Sequence, residues 1–156
     1  MANKTKLDIT LQEINEDTLW SILDLEVAEE QKQYVAPNAV SIAEAHFSEF
    51  AWFRAIYAGN TPVGFVLLYI DEEETEYDLW RLMIDKNHQR NGYGSEALRR
   101  VIEYIEELPG ANELTLSYLP GEGSPGQFFA QFGFEDADDW VDDEKILSLD
   151  LGKYEA

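Results

Sequence analysis

Leu7-Asp8-Ile9-Thr10-Leu11 alternates apolar and polar positions, which predicts a strand with one buried face. Asn15 is placed to cap a helix from Glu16 to about Gln31, whose apolar side is Leu19, Ile22, Leu23 and Leu25 to Val27. Tyr34 to Asn38, with Pro37 inside it, breaks that helix. Ser41-Ile42-Ala43-Glu44 has the S-x-x-E form of a capping box and predicts the start of a short second helix. Two apolar runs, Trp52 to Tyr57 and Val63 to Ile70, flank Gly59-Asn60 and predict a hairpin. After the acidic loop Asp71 to Glu76, Tyr77 to Ile84 predicts another strand. Asp85 to Asn91 leads into a strong helix from Gly92 to about Leu108, stopped by Pro109-Gly110. Leu114 to Tyr118 predicts a strand, and Leu119 to Gly126 is a Gly- and Pro-rich connection. Gln127 to Phe132 predicts a short helix ending at Gly133, and Lys145 to Leu151 a closing strand. The order is strand, two helices, three strands, helix, strand, helix and one or two closing strands. It predicts an α/β (α+β) fold: a mixed sheet with helices packed on it.

Composition narrows the function. The 156 residues suit one domain over 1–156, and 45% hydrophobic with 13% aromatic residues is a globular balance. There is no cysteine, so disulfides, thiolate nucleophiles and Cys-based metal sites are excluded. The longest apolar run, Val63 to Ile70, is far short of the ~18 residues that a membrane span needs. The N-terminal Met1 to Lys6 is polar, with no apolar signal core behind it, so a soluble, cytoplasmic protein is expected. Eleven Lys and Arg against 32 Asp and Glu give a net charge of −21. Phosphate repulsion then argues against a nucleic-acid partner. Two readings of the charge stand: capture of a small cationic amine, or solubility alone.

The stretch richest in chemistry is Gln89-Arg90-Asn91-Gly92-Tyr93-Gly94-Ser95, between a strand and the long helix. Its glycines allow a tight turn in which several N–H groups converge, and the helix dipole adds positive potential. Arg90 adds a full charge. The pattern suits a pyrophosphate. It is not a Rossmann fingerprint, because Ala97 stands where the third glycine belongs. It is not a P-loop, because no Gly-Lys-Ser/Thr follows.

Gln89-x-x-Gly92-x-Gly94, after a strand ending Leu82-Met83-Ile84, resembles the acetyl-CoA motif of the GNAT superfamily. Phe128-Phe129-Ala130-Gln131-Phe132-Gly133-Phe134 resembles that family's short helix followed by Gly-Phe. The segments Glu30 to Asn38, Arg81 to Asp85, Leu116 to Tyr118 and Pro120 to Pro125 are similar to bacterial spermine/spermidine acetyltransferases. The resemblance implies a mostly antiparallel central sheet with helices on both faces. It also implies transfer of acetyl from acetyl-CoA to a primary amine, most simply a polyamine. The sequence leaves two other readings open: an acyl-CoA or polyamine sensor without catalysis, and an acetyltransferase for another small amine or a protein N-terminus.

The resemblance also implies roles. Backbone groups of Leu82, Met83 and Ile84 would pair with the pantetheine arm. Those of Gln89, Arg90, Asn91, Gly92, Tyr93, Gly94 and Ser95 would hold the pyrophosphate. The strand would splay from Leu114 to Tyr118 and open a slot for the thioester. Asp78 falls where several members carry a carboxylate base, and strand parity puts it on the side of Trp80, Leu82 and Ile84. Equally, Asp78 continues the acidic loop. Glu29, Glu30 and Tyr34 would line the amine site; a solvated helix end is the rival reading. The family's usual acid, a tyrosine four residues before the Gly of Gly-Phe, is here Phe129, which has no proton to give. Tyr118 is then the substitute acid, beside unassisted departure of the thiolate or loss of catalysis. His46 and His88 have no partner at metal-ligand spacing, so no metal is expected. A homodimer is a common assembly in the superfamily, and no segment here marks an interface.

Overall fold

The computed structural model of the chain describes residues 8–154. Leu7 and the polar residues 1–6 read above lie outside them. Within them seven strands form one sheet: β1 (Ile9–Gln12), β2 (Ala51–Ala58), β3 (Thr61–Asp71), β4 (Glu76–Ile84), β5 (Glu113–Tyr118), β6 (Glu135–Val141) and β7 (Glu144–Asp150). Their order is β1-β2-β3-β4-β5-β7-β6. Every pairing is antiparallel except β4 with β5. Among the described residues four α-helices accompany it: α1 (Leu19–Leu23), α2 (Asn38–His46), α3 (Tyr93–Glu106) and α4 (Gly126–Gln131). No helix among the described residues is long and apolar enough to cross a membrane.

The sheet is covered on both faces, as expected. On one face α3 buries Ala97, Leu98, Val101, Ile102 and Ile105 against Val66, Leu68, Leu79, Leu114 and Leu116. That stripe recurs at the helical period, and Glu96 pairs with Arg99 and Arg100 on the wet side, at 3.1 and 3.4 Å. Phe129 of α4 joins the same core. On the other face Ile22 of α1 and Ala45 of α2 pack on Ala55, Phe65, Leu67 and Met83. The central strand β3 feeds both cores, Val66 and Leu68 to one and Phe65 and Leu67 to the other, so it reads as an unbroken apolar run.

Two expectations fail. The helix expected over 16–31 is only α1 and, later, a 3-10 turn at Glu29–Gln31. Between them tertiary bonds claim the backbone: the Asp85 carboxylate accepts the Glu26 N–H at 2.9 Å, and Glu26 O accepts the Lys86 N–H at 2.8 Å. Asn15 does cap, but it caps a turn, accepting the N–H groups of Asp17 and Thr18. The second helix begins at Asn38, not at the expected capping box. Ser41 is buried and accepts a hydrogen bond from Arg81 at 3.1 Å. The closing pair of strands is complete. β6 was not legible because all seven of its residues are exposed and its Asp and Glu run shows no alternation.

Candidate active site

The site grows from one irregularity in the sheet. β5 pairs with β4 at just two rungs, Asp78↔Thr115 and Leu79↔Leu116. Beyond them Arg81 to Ile84 keep their register partners on β3 but have none on β5. The two parallel strands thus part towards their C-terminal ends, and a cleft of about 860 Å³ opens there. Leu82, Met83 and Ile84 line it from β4, and Ser117 and Tyr118 from β5. The expected splay is present.

Trp80 is a bulge: Leu67 faces Arg81 and Leu68 faces Leu79, leaving Trp80 the extra residue. This corrects the parity argument. Leu82 and Ile84 share the α3 face with Tyr77 and Leu79. Trp80 and Met83 lie on the opposite face, with the α1–α2 core. Asp78 alternates with Tyr77 and Leu79, so it stands on the face away from Leu82 and Ile84.

At the wide end of the cleft is the turn into α3. Gly92 caps the helix at φ 79°, a left-handed conformation that favours glycine, and Arg90 precedes it at φ 65°. The first closing bond of α3 runs from Glu96 N–H to Gly92 O, at 3.1 Å. Among the described residues no carbonyl accepts from the N–H groups of Gly92, Tyr93, Gly94 or Ser95. Gly94 needs no positive φ. A Cβ there would meet Ile84 and Phe128 only at ordinary contact, 3.6 and 3.7 Å. The chain's own packing therefore does not demand glycine at 94. A bare backbone beside the cleft suits close approach by an anionic group. Gln89 and His88 also line the cleft. The Gln89 side chain turns inward, donating to Ile84 O at 2.9 Å and to Gln31 Oε1 at 2.8 Å. Asn91 is outside the lining: its side chain donates to His88 O and Gln89 O and closes the turn.

At the narrow end, Asp78 is half-buried, and Thr115 Oγ1 donates to its Oδ1 at 2.9 Å. Burial pushes the Asp78 carboxyl up to about 6; the Thr115 bond opposes the rise and the charge of Glu144 adds to it. Glu144, at the start of β7, accepts a bond from Ser117 Oγ at 2.8 Å. A second groove, of about 610 Å³, also reaches Asp78. It is lined by Glu76, Asp78 and Glu113, with Tyr69, Tyr77 and Trp80, and by no cation. Asp78, Trp80 and Ser117 belong to both cavities.

Tyr34 lines the main cleft and not the second groove, and its hydroxyl donates to Glu122 O at 2.5 Å, tying the connection before α2 to the loop before α4. Glu29 and Glu30 do not line either cavity; they are exposed on the 3-10 turn, and Glu29 pairs with Lys32 at 3.1 Å. Phe129 is 7% exposed, its ring against Phe128 and Phe134. Tyr118 lies across the N-terminus of α4, so close that a Cβ on Gly126 would meet its ring and hydroxyl at 2.8 Å. Thr115, Ser117 and Glu144 escaped the sequence reading. Thr115 and Ser117 are lone polar residues in a strand, Glu144 is one of a charged run, and nothing in the sequence says that β5 and β7 flank Asp78.

The profile described as the acetyltransferase (GNAT) family matches residues 11–134. "Probable spermine N(1)-acetyltransferase" of Bacillus subtilis subsp. natto (strain BEST195) is 25% identical over 135 residues, 83% of this chain and 89% of the relative. "Spermine/spermidine N(1)-acetyltransferase" of Bacillus subtilis (strain 168) is 24% identical over the same spans. The crystal structure of spermidine N-acetyltransferase from Vibrio cholerae, in complex with CoA and spermine, superposes with a TM-score of 0.73 at 16% identity, covering 94% of this chain and 98% of that one. That last likeness is one of fold.

Proposed function

The chain belongs to the acetyltransferase (GNAT) family, and on that premise we propose that it moves the acetyl group of acetyl-CoA to a primary amine of a polyamine such as spermidine or spermine. The observation that carries this reading is the place of Asp78. It stands where an anion-suited cleft meets a groove walled by carboxylates and aromatic rings.

The residues present fit acetyl-CoA. The free N–H groups of Gly92 to Ser95, with Arg90 beside them, take the pyrophosphate. The unpaired edge of Leu82, Met83 and Ile84 offers strand-like bonds to the pantetheine arm. Acetyl-CoA brings an activated thioester. The amine arrives as ammonium, since an alkylamine has a pKa near ~10.4. A carboxylate titrating near 6 is ionised at neutral pH and is a stronger base than an ordinary aspartate. Asp78 takes one proton from the ammonium, which frees the lone pair, and the neutral nitrogen attacks the acetyl carbon. The C–N bond forms, the C–S bond breaks, and the thiolate takes a proton from the hydroxyl of Tyr118, which lines the slot from β5, position 129 being a buried Phe. The adduct's remaining extra N–H proton restores the Tyr118 phenolate once that phenol has protonated the thiolate. The acidic groove receives the remaining positive charge of a polyamine; aromatic faces add cation–π attraction.

CoA release tests the proposal, with spermidine, spermine, a simple monoamine and an N-terminal peptide each offered as acceptor. Turnover with both polyamines, and little with the monoamine or peptide, is expected. Acetyl-CoA binding with no turnover on polyamines would refute the acceptor assignment; turnover on the peptide alone would point to protein N-termini.

A further inference from the structure

We propose that Thr115 is a positioning residue for acetyl transfer: its hydroxyl clamps one oxygen of Asp78 at the vertex of the β4–β5 slot and leaves the other to receive the acceptor's proton. This deepens the proposed function and rests on Asp78 being the base.

The geometry is specific. Asp78 and Thr115 are direct partners on one of the two rungs that join β4 to β5, immediately before the strands part. The Thr115 hydroxyl has one proton and two acceptors within reach: Asp78 Oδ1 at 2.9 Å and Tyr77 O at 3.4 Å. The shorter bond, to a charged acceptor, wins. Leu114 and Leu116, fully buried on either side, fix the backbone, and a β-branched side chain has little freedom at χ1. The hydroxyl therefore arrives pre-aimed. A bond to the ionised carboxylate favours the basic form, against the burial that disfavours it.

The other groups around Asp78 do not substitute. Tyr69 faces it from β3, Glu113 and Ser117 from β5, Glu144 from β7, and Glu76, Tyr77 and Arg81 lie along its own strand. Arg81 is engaged by Ser41 and Glu44 of α2. Lys32, His88 and Arg90 also line the main cleft, from the connection after α1 and the turn before α3. Of these, Glu144 acts through its charge in the opposite sense to Thr115.

The test is the pH profile of kcat/KM for spermidine in the wild type, Thr115→Val, Thr115→Ser and Asp78→Asn, with thermal unfolding to confirm that each folds. Thr115→Val is expected to move the acid limb up by about one pH unit, which costs about 5-fold at pH 6 and little at pH 8. Thr115→Ser restores the wild-type limb because it keeps the hydroxyl. A limb lost in Asp78→Asn but unmoved in Thr115→Val overturns this proposal alone. Thr115→Ser behaving as Thr115→Val also overturns it, because packing would then be the cause. A limb that persists in Asp78→Asn overturns the base reading, and this proposal with it.

Discussion

Asp78 carries two opposed demands. Its folded-state carboxyl titrates near 6, above the usual 3.8, so the folded chain binds the proton more tightly than the unfolded one. Stability therefore falls as pH rises from about 3.8 to about 6, and the full cost of the buried charge is present above that window. Asp78→Asn is expected to stabilise the fold by on the order of 2 kcal/mol at pH 8 and to change nothing below pH 3.8. Thermal unfolding at the two pH values checks this; equal melting temperatures at pH 8 would argue against a strained carboxylate. The sequence pointed to Asp78 only through the family resemblance, which puts a carboxylate base at that position; by composition alone it continues the acidic loop. It misled on which face Asp78 occupies, because the bulge at Trp80 reverses the alternation and leaves no mark in residue type. Tyr118 was legible through the strand that carries it, whereas Glu29 and Glu30 were not placeable without the true course of the 16–31 segment.

The turn into α3 shows what an element can do that single residues cannot. Its two glycines serve different ends. Gly92 meets the chain's own need for a left-handed cap, so Gly92→Ala is expected to cost about 1–2 kcal/mol of stability. Gly94 sits in ordinary helical backbone with room for a methyl group. Gly94→Ala is therefore expected to keep or slightly raise stability. It should nonetheless weaken acetyl-CoA binding about 10-fold, as loss of one backbone contact would. Calorimetric titration with acetyl-CoA beside thermal unfolding separates the two effects; unchanged affinity in Gly94→Ala would remove the turn from the cofactor site. α3 itself was readable to within two residues, since its apolar stripe and the Pro109-Gly110 stop act locally. The 16–31 helix was not, because the backbone of Glu26 in its middle is bonded to Asp85 and Lys86, some sixty positions away in the chain.

For the whole molecule, the −21 charge acts on both substrates with opposite sign. It attracts a polycation and repels an anionic acyl carrier, and salt screens both effects over a Debye length of about 10 Å at 0.1 M. Raising the ionic strength is expected to lower kcat/KM for spermidine more steeply than for a monoamine, without the same loss for acetyl-CoA. Equal salt dependence for spermidine and the monoamine would leave the charge with no part in acceptor capture. Element order and two motifs made the architecture legible, for each rests on local periodicity or turn chemistry. The assembly of Asp78, Thr115, Ser117 and Glu144 from β4, β5 and β7 was not, since only the sheet order brings those strands together. The most direct measurement is the amount of acetylated spermidine formed by the wild type and by Asp78→Asn at pH 7.5, read by mass spectrometry, with acetyl-CoA affinity measured in parallel. The account predicts product from the wild type, ~10²–10⁴-fold less from Asp78→Asn, and equal acetyl-CoA binding by both. No product from the wild type, or as much from the variant, would contradict it.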